Sequence, residues 1–544
     1  PGLRLRAVLL DAENKPVAEV NEPVSERHHH FTFPSLPDIT LWDIDHPYLY
    51  TLETSLYNEE NVVDQTATRF GFRETEFRKD GGFYLNDRRV QLFGLNRHQT
   101  YPYLGAAAPA RLQRQDADTL KFDLACNVVR TSHYPQSPHF LNRCDEIGLL
   151  VFEEITGWQH IGDDAWKAIV VEELEAMIER DRNHPSIIIW GVRVNESPDD
   201  DEFYTRTNAL AHQLDPGRQT GGVRCFLGSS FLEDVYTYND FSNTVVDPPH
   251  KPYLITEFAG HMFPTKVWDG EDRLIEHALL HARIQNLQMG RSDISGAIGW
   301  CAFDYGTHIE FGSGDRICYH GVMDIFRLPK WAAYFYQSQL PPQQKVVLQA
   351  ATHWTMGDRS GGGNNPLTVF SNCDEVEVII GDINVGKFKP DRENYPHLKH
   401  PPFVIFGLNE FSAWGQRRFY DLQLVGYVDG KAVAEQKIAA NQLPDQLLLK
   451  TSTQQIYADG ADMAQVSFFI TDRFGNTLPF AKSAIHLEVE GEAELIGENP
   501  FLMFGGQGAV YIKAGKQSGS VTVTARADGL AEKTISIDIV KQNS

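Results

Sequence analysis

The chain has 544 residues, with 73 acidic against 49 basic side chains and a formal net charge of −24. At roughly 150 residues per domain this length implies three or four domains, and 42% hydrophobic with 22% charged residues excludes a largely disordered chain. The acidic balance argues against nucleic acid or an anionic membrane surface as partner, since both demand a positive footprint, and no apolar run approaches the ~20 residues of a spanning helix.

Residues 1–76 alternate apolar and polar positions in short runs, Leu3–Leu10, Val17–Val20, His30–Phe33 and Leu49–Tyr57. Punctuation by Gly, Pro, Asp and Asn makes this the pattern of an antiparallel, immunoglobulin-like β-sandwich, incomplete at its N-terminal side. The first residue is Pro1, so the natural start is expected upstream and cellular location is not legible. His28, His29 and His30 invite a metal reading, but beside Phe31 and Phe33 they read as a surface strand.

Over residues 77–341 short β-rich runs alternate with segments of helical period. The expected strands are Val90–Leu95, Asn127–Thr131, Leu149–Glu153, Ile187–Val192, Gln219–Val223, Asp234–Tyr238, Tyr253–Glu257 and Ala297–Phe303. Helices are expected over Arg111–Ala125, Pro138–Ile147, Ala165–Arg182, Phe203–Leu214, Arg273–Met289 and Trp331–Ser338. Such alternation predicts a parallel sheet closed into a (β/α)8 TIM barrel. A doubly wound nucleotide fold is disfavoured, because the first turn, Gly94-Leu95-Asn96-Arg97-His98, lacks a G-x-G-x-x-G fingerprint. Residues 342–441 and 442–544 return to alternation and read as two further β-sandwiches, the second immunoglobulin-like. Ser360–Asn365 reads as a turn rather than a phosphate cradle. Cys126, Cys144, Cys225, Cys301, Cys318 and Cys373 are sparse and form no C-x-x-C pair, so they are expected as free, mostly buried thiols.

In such a barrel chemistry gathers at the C-terminal ends of strands. These ends deliver Asn96, Arg97 and His98; Arg130, Ser132 and His133; Glu153 and Glu154; Asn195 and Glu196; Tyr238 and Asn239; Glu257; and Trp300 with Asp304. No nucleophile elbow and no spaced metal-ligand set is present. Carboxylates, aromatics and hydrogen-bonding side chains suit a sugar, whose hydroxyls need polar partners and whose C–H face stacks on a ring. Cleaving a glycosidic bond needs two carboxyl groups astride it. Glu196 and Glu257, on strands nearly opposite each other, are the natural pair.

The stretches Phe70-Gly71-Phe72-Arg73-Glu74, Phe93–His98, Val129-Arg130-Thr131-Ser132-His133-Tyr134-Pro135, Cys144–Leu149 and Asp181–Trp190, running on to Asn195-Glu196-Ser197, agree in order and spacing over about 200 residues with one known pattern. The chain resembles glycoside hydrolase family 2, most closely its β-galactosidase branch. That resemblance implies a multidomain enzyme, a TIM barrel flanked by β-sandwiches, that retains anomeric configuration through a covalent glycosyl-enzyme. It implies Glu196 as general acid/base and Glu257, in Leu254-Ile255-Thr256-Glu257-Phe258, as nucleophile, with the carboxyls about 5–5.5 Å apart. Family members usually begin with a sugar-binding jelly roll, which the resemblance leads one to expect outside the sequence that starts at Pro1.

Asn195 is expected to meet the 2-hydroxyl, Tyr238 to donate to Glu257, His98, His133 and Asp304 to bind hydroxyls, Trp300 to stack on the sugar, and Glu154 to stand behind the site. Arg73 and Arg130 are expected as buried hydrogen-bonded groups holding the barrel mouth. Some family members bind magnesium through a Glu and a His after the third strand; here Glu153–His160 does not match that spacing, and no metal or cofactor is expected. The Asn-x-Lys motif of the family's β-glucuronidases is missing from Arg316–Asp324, so a terminal β-galactoside is the favoured substrate. The alternatives are a glucuronide or galacturonide held by Arg316, Arg327 or Lys330, or a non-catalytic carbohydrate-binding relative. Nucleic acid and membrane partners are not expected, and a homo-oligomer is left open.

Overall fold

A computed structural model describes the chain except residues 1, 34, 35, 37, 261–262, 356–364, 413–418 and 543–544. Most of the expected Ser360–Asn365 turn therefore lies outside the described residues.

The first zone is one four-stranded antiparallel sheet in the order Pro16–Pro23, Leu3–Leu10, Tyr50–Asn58, Asn61–Phe70. No second sheet faces it among the described residues, where an incomplete sandwich is expected. His30–Phe33 is not a strand: a bend over residues 26–28 leads into irregular chain, with His29 Nε2 2.7 Å from Glu22 Oε1. The edge strand Asn61–Phe70 escapes the pattern search because residues 61–67 are exposed on both faces, which removes the alternation that burial imposes.

Eight parallel strands close the barrel: Leu92–Arg97, Val128–Thr131, Leu150–Glu154, Ile187–Gly191, Gln219–Arg224, Val235–Asn239, Tyr253–Glu257 and Gly296–Gly299, the last pairing with the first. We number them one to eight. The helices between them carry their own start signals. Ser137, Asp163 and Asp200 accept from the backbone N–H groups of His139, Trp166 and Phe203, capping the helices Pro138–Ile147, Asp164–Asp181 and Asp201–Leu214. Gly148 stops the first of these in a left-handed conformation at φ 72°, where a Cβ would stand 2.4 Å from Ile44 O.

A three-stranded meander, Thr75–Phe77, Phe83–Leu85 and Arg88–Val90, closes the foot of the barrel. Phe77, Phe83, Leu85 and Val90 pack there with Leu92, Val128, Leu150, Val235, Leu254 and Ile298. Arg73 belongs to this foot, donating to Pro185 O and Ile187 O at 2.6 Å where strand four begins, and so does not hold the mouth. Beyond the barrel, a three-stranded and a four-stranded sheet enclose Trp354, Val369, Val378, Phe403 and Leu424. A four- and a five-stranded sheet then enclose Val466, Phe468, Ile512, Val523 and Ile537. All six cysteines are free; five are buried and Cys225 is half-buried.

Candidate active site

The barrel mouth is organised around Arg130, fully buried on strand two. Its guanidinium donates through Nε and Nη2 to both oxygens of Glu154 (2.9 and 2.7 Å), through Nη1 to Glu257 Oε1 (2.6 Å) and Asn96 Oδ1 (3.1 Å), and through Nη2 to Asn195 Oδ1 (2.9 Å). One planar fork thus fixes side chains from strands one, three and seven and from the chain just past strand four, a geometry that lysine cannot reproduce. Burial disfavours the Arg130 cation, but Glu154 and Glu257 outweigh it and hold its pKa above the ordinary value. Burial pushes the Glu154 carboxyl up, and Arg130 with His133 outweighs it, leaving the group below its ordinary value. At Glu257 burial dominates: the carboxyl is pushed up to about 8, against the pull of Arg130 and with a further push from the charge of Glu196.

Glu196 follows strand four with its backbone in the left-handed region at φ 54°, and its N–H donates 2.8 Å to Val223 O. Its carboxylate accepts three neutral N–H groups: Asn239 Nδ2 on Oε1 (2.9 Å), and Trp158 Nε1 (3.0 Å) and Gln159 Nε2 (3.2 Å) on Oε2. Asn239 Nδ2 also lies 3.5 Å from Asn195 Oδ1, and Asn239 Oδ1 accepts from Thr256 Oγ1 at 2.9 Å. Glu196 and Glu257 are therefore joined through an Asn239–Asn195–Arg130 chain of hydrogen bonds.

Both carboxylates line one open cavity of about 390 Å³, together with Asn195, His98, His133 and Trp300. Trp158, Gln159, Tyr305, Thr307, His308 and Phe311 complete the wall. The His98 ring stacks on Tyr305 at 4.1 Å, and His133 lies parallel to Trp300 at 5.1 Å. Trp300 Nε1 donates to His320 Nδ1 at 3.2 Å, and His98 Nδ1 lies 3.1 Å from the Tyr134 hydroxyl. Burial holds both cavity histidines below their ordinary pKa, which makes them neutral hydrogen-bonding groups at pH 7.

Of the residues expected here, Glu196, Glu257, Asn195, His98, His133 and Trp300 come together at the cavity. Three do not line it. Glu154 stands behind it on Arg130, with His133 Nδ1 3.0 Å away. Tyr238 does not reach Glu257: its ring turns outward toward Tyr253, 6.5 Å away, while Asn239 takes the inward place. Asp304 is buried in an ion pair with Lys330 Nζ at 2.7 Å and accepts Gly321 N–H at 2.8 Å, so it is not placed to meet a hydroxyl. Strand eight ends at Gly299, and the five residues beyond it fold Asp304 away from the mouth.

The cations considered for a uronic acid are likewise committed or remote. Arg327 is buried against Asp116, Lys330 is the partner of Asp304, and Arg316 is exposed outside the cavity wall. Among the described residues no group of three or more His, Cys, Asp or Glu side chains could hold a metal ion. Sequence reasoning missed Trp158, Gln159, Tyr305, His308 and Phe311, placed Asn239 at the end of strand six without a role, and gave Arg130 only a scaffold role. Period-two alternation on strand six could have found Asn239, since Val235 packs inside and Tyr236 outside. Trp158 and Gln159 lie within the stretch weighed only for metal spacing.

Comparison with known proteins identifies the family of the chain. Residues 77–343 match the family described as "Glycosyl hydrolases family 2, TIM barrel domain", residues 3–73 match "Glycosyl hydrolases family 2", and residues 447–536 match "Glycoside hydrolase family 2 C-terminal domain 5". A β-galactosidase of Thermoanaerobacterium thermosulfurigenes is 49% identical over 493 residues, covering 88% of this chain and 68% of the relative. A putative β-glucuronidase of Formosa agariphila is 30% identical, covering 72% of this chain and 54% of its own. A β-glycosidase from Bacteroides vulgatus shares the fold with a TM-score of 0.80 at 22% identity, covering 98% of this chain and 75% of that one.

Proposed function

Because the chain belongs to glycoside hydrolase family 2, we propose that it is a retaining exo-β-glycosidase acting on terminal β-galactosides, with Glu257 as nucleophile and Glu196 as acid/base. The observation that carries this reading is the pair of carboxylates on one cavity, each held by its own fixed donors.

Glu257 attacks the anomeric carbon as a carboxylate while Glu196 gives its proton to the departing glycosidic oxygen. The C–O bond to the leaving group breaks, an ester to Glu257 forms, and Glu196 then takes a proton from the water that hydrolyses that ester. Burial, the largest cause of the raised Glu257 carboxyl, opposes its ionisation, and two features act the other way. Part of the upward push on Glu257 comes from an ionised Glu196 and disappears once Glu196 carries its proton. Arg130 Nη1, 2.6 Å from Glu257 Oε1, then favours the ionised nucleophile. The retaining mechanism requires the one proton of the pair to sit on Glu196 at the moment of attack. Asn195 has its Oδ1 committed to Arg130, which turns its Nδ2 to the 2-hydroxyl. Trp300 and His133, both on the cavity wall, are assigned to the C–H face of the sugar.

Galactose rather than a uronic acid is favoured because the only cation touching either catalytic carboxylate, among the described residues, is Arg130, already paired with Glu154 and Glu257. Nitrophenyl β-galactoside, β-glucuronide and β-galacturonide compared on one preparation test this. Preferential release from the galactoside is expected, preferential release from a uronide reverses the sugar assignment, and release from none leaves a carbohydrate-binding protein.

A further inference from the structure

The cavity has an inner, polar end at Glu257 and an outer rim that the proposed cleavage of a terminal sugar leaves without a task. That rim is aromatic. Trp158 is 40% exposed, and its ring lies 5.7 Å from Phe311 and 6.0 Å from His308, which in turn lie 6.2 Å apart and stack. Trp158 comes from the loop after strand three, and the other two from the loop between the paired segments Tyr305–Gly306 and Ile317–Cys318.

The Trp158 loop is strapped to the chain that carries Glu196. Gly157 N–H donates to His133 O at 3.1 Å, Trp158 pairs with Asn195 as a parallel bridge, and Gln159 N–H donates to Asn195 O at 2.7 Å. Gly157, at φ 140°, leaves no room for a Cβ, which would stand 2.9 Å from Val194 Cγ1. The strap aims Trp158 Nε1 and Gln159 Nε2 at one oxygen of Glu196, Oε2. Two N–H donors use both lone pairs of that oxygen. The transferable proton therefore belongs on Oε1, which accepts only Asn239. As that proton leaves, the carboxylate becomes charged and the bonds from Trp158 and Gln159 strengthen, so their effect is greatest in the transition state.

We infer that Trp158, His308 and Phe311 form a leaving-group site for a flat ring, the C–H face of a second pyranose or an aryl group, and that Trp158 couples its occupancy to the aim of the acid/base. The ring face of Trp158 binds the departing group while its N–H fixes which oxygen of Glu196 protonates it. This inference rests on the catalytic assignment of Glu196 but not on the identity of the terminal sugar.

Two ratios of kcat/KM test it on the purified chain. Phe311→Ala combined with His308→Ala is expected to lower the ratio of disaccharide to methyl glycoside about tenfold, since only the disaccharide has a ring in its leaving group. Trp158→Phe keeps a ring and removes the N–H. It is expected to lower the ratio of methyl to dinitrophenyl glycoside about tenfold, because dinitrophenolate departs without a proton. An unchanged first ratio overturns the ring site, and an unchanged second ratio overturns the coupling to Glu196. Gln159→Met, which takes the second donor from Oε2, is expected to move the second ratio the same way, and a loss equal on both substrates counts against positioning. If the wild type ignores galactosides and cleaves another β-glycoside, the sugar assignment fails and the ratios are taken on that glycoside. Cleavage of no β-glycoside overturns both readings.

Discussion

The two ends of the same barrel are filled by opposite chemistry. At the foot, Phe77, Phe83, Leu85 and Val90 plug the ring of strands with apolar side chains. At the mouth, Asn96, Arg130, Glu154, Asn195, Asn239 and Glu257 are all buried and all polar. The boundary passes between Phe152 in the foot cluster and the Arg130 guanidinium 5.9 Å above its ring. Burial stabilises the foot, through removal of apolar surface from water. At the mouth burial costs stability at each charge, and the fixed partners of Arg130 offset that cost. The strands are held from below so that an unfavourable but reactive arrangement can be held above.

Substitutions at the two ends should separate activity from stability. Glu257→Gln is expected to lower kcat by on the order of 10⁴-fold or more, while raising Tm above neutral pH. The sign follows from the raised carboxyl: the folded state keeps the Glu257 proton up to about 8 while the unfolded chain releases it near 4.5. The wild type therefore loses stability as pH rises through that window, and the Gln variant does not. Its Tm advantage should be absent near pH 4 and grow to a plateau above pH 8; an advantage independent of pH contradicts the burial argument. Phe83→Ala at the foot should do the reverse, costing about 3–5 kcal/mol in denaturant melts with kcat of the folded fraction unchanged. Arg130→Met joins the two ends, since it strands Glu154 and Glu257 without their cation. A loss of about 3–5 kcal/mol is expected, together with an acid limb of kcat/KM displaced to higher pH, because Arg130 pulls the Glu257 pKa down. The smallest effect is expected at Tyr238→Phe, whose kcat/KM should stay within about twofold of wild type; a large loss would return its hydroxyl to the mechanism.

Tyr238 also shows where reading the sequence succeeds and stops. Strands and helices were legible along the barrel because short β-rich runs alternate there with segments of helical period. Glu196 and Glu257 were legible from their place at strand ends and from the surrounding pattern. Which neighbour faces inward was not read off, although the alternation along strand six carries it. Strand six shifts register against strand seven between Tyr238 and Asn239, which sets Asn239 opposite Glu257. Asp304 failed for a different reason: its partner Lys330 is distant in sequence, and no local pattern announces a buried pair. Trp158 reaches Glu196 through a loop whose course is set by bonds to His133 and Asn195 rather than by its own periodicity. Asn61–Phe70 was invisible because an exposed edge leaves no hydrophobic imprint.

The central claim is that Glu257 forms the covalent bond to the sugar while Glu196 handles the proton. A 2-deoxy-2-fluoro-β-galactosyl fluoride slows the breakdown of such an ester, and mass spectrometry of the digested protein locates it. The account predicts one added fluorogalactosyl group on the peptide containing Glu257, with activity lost in step with labelling. A label on Glu196, or rapid turnover of natural substrate by Glu257→Gln, would contradict it.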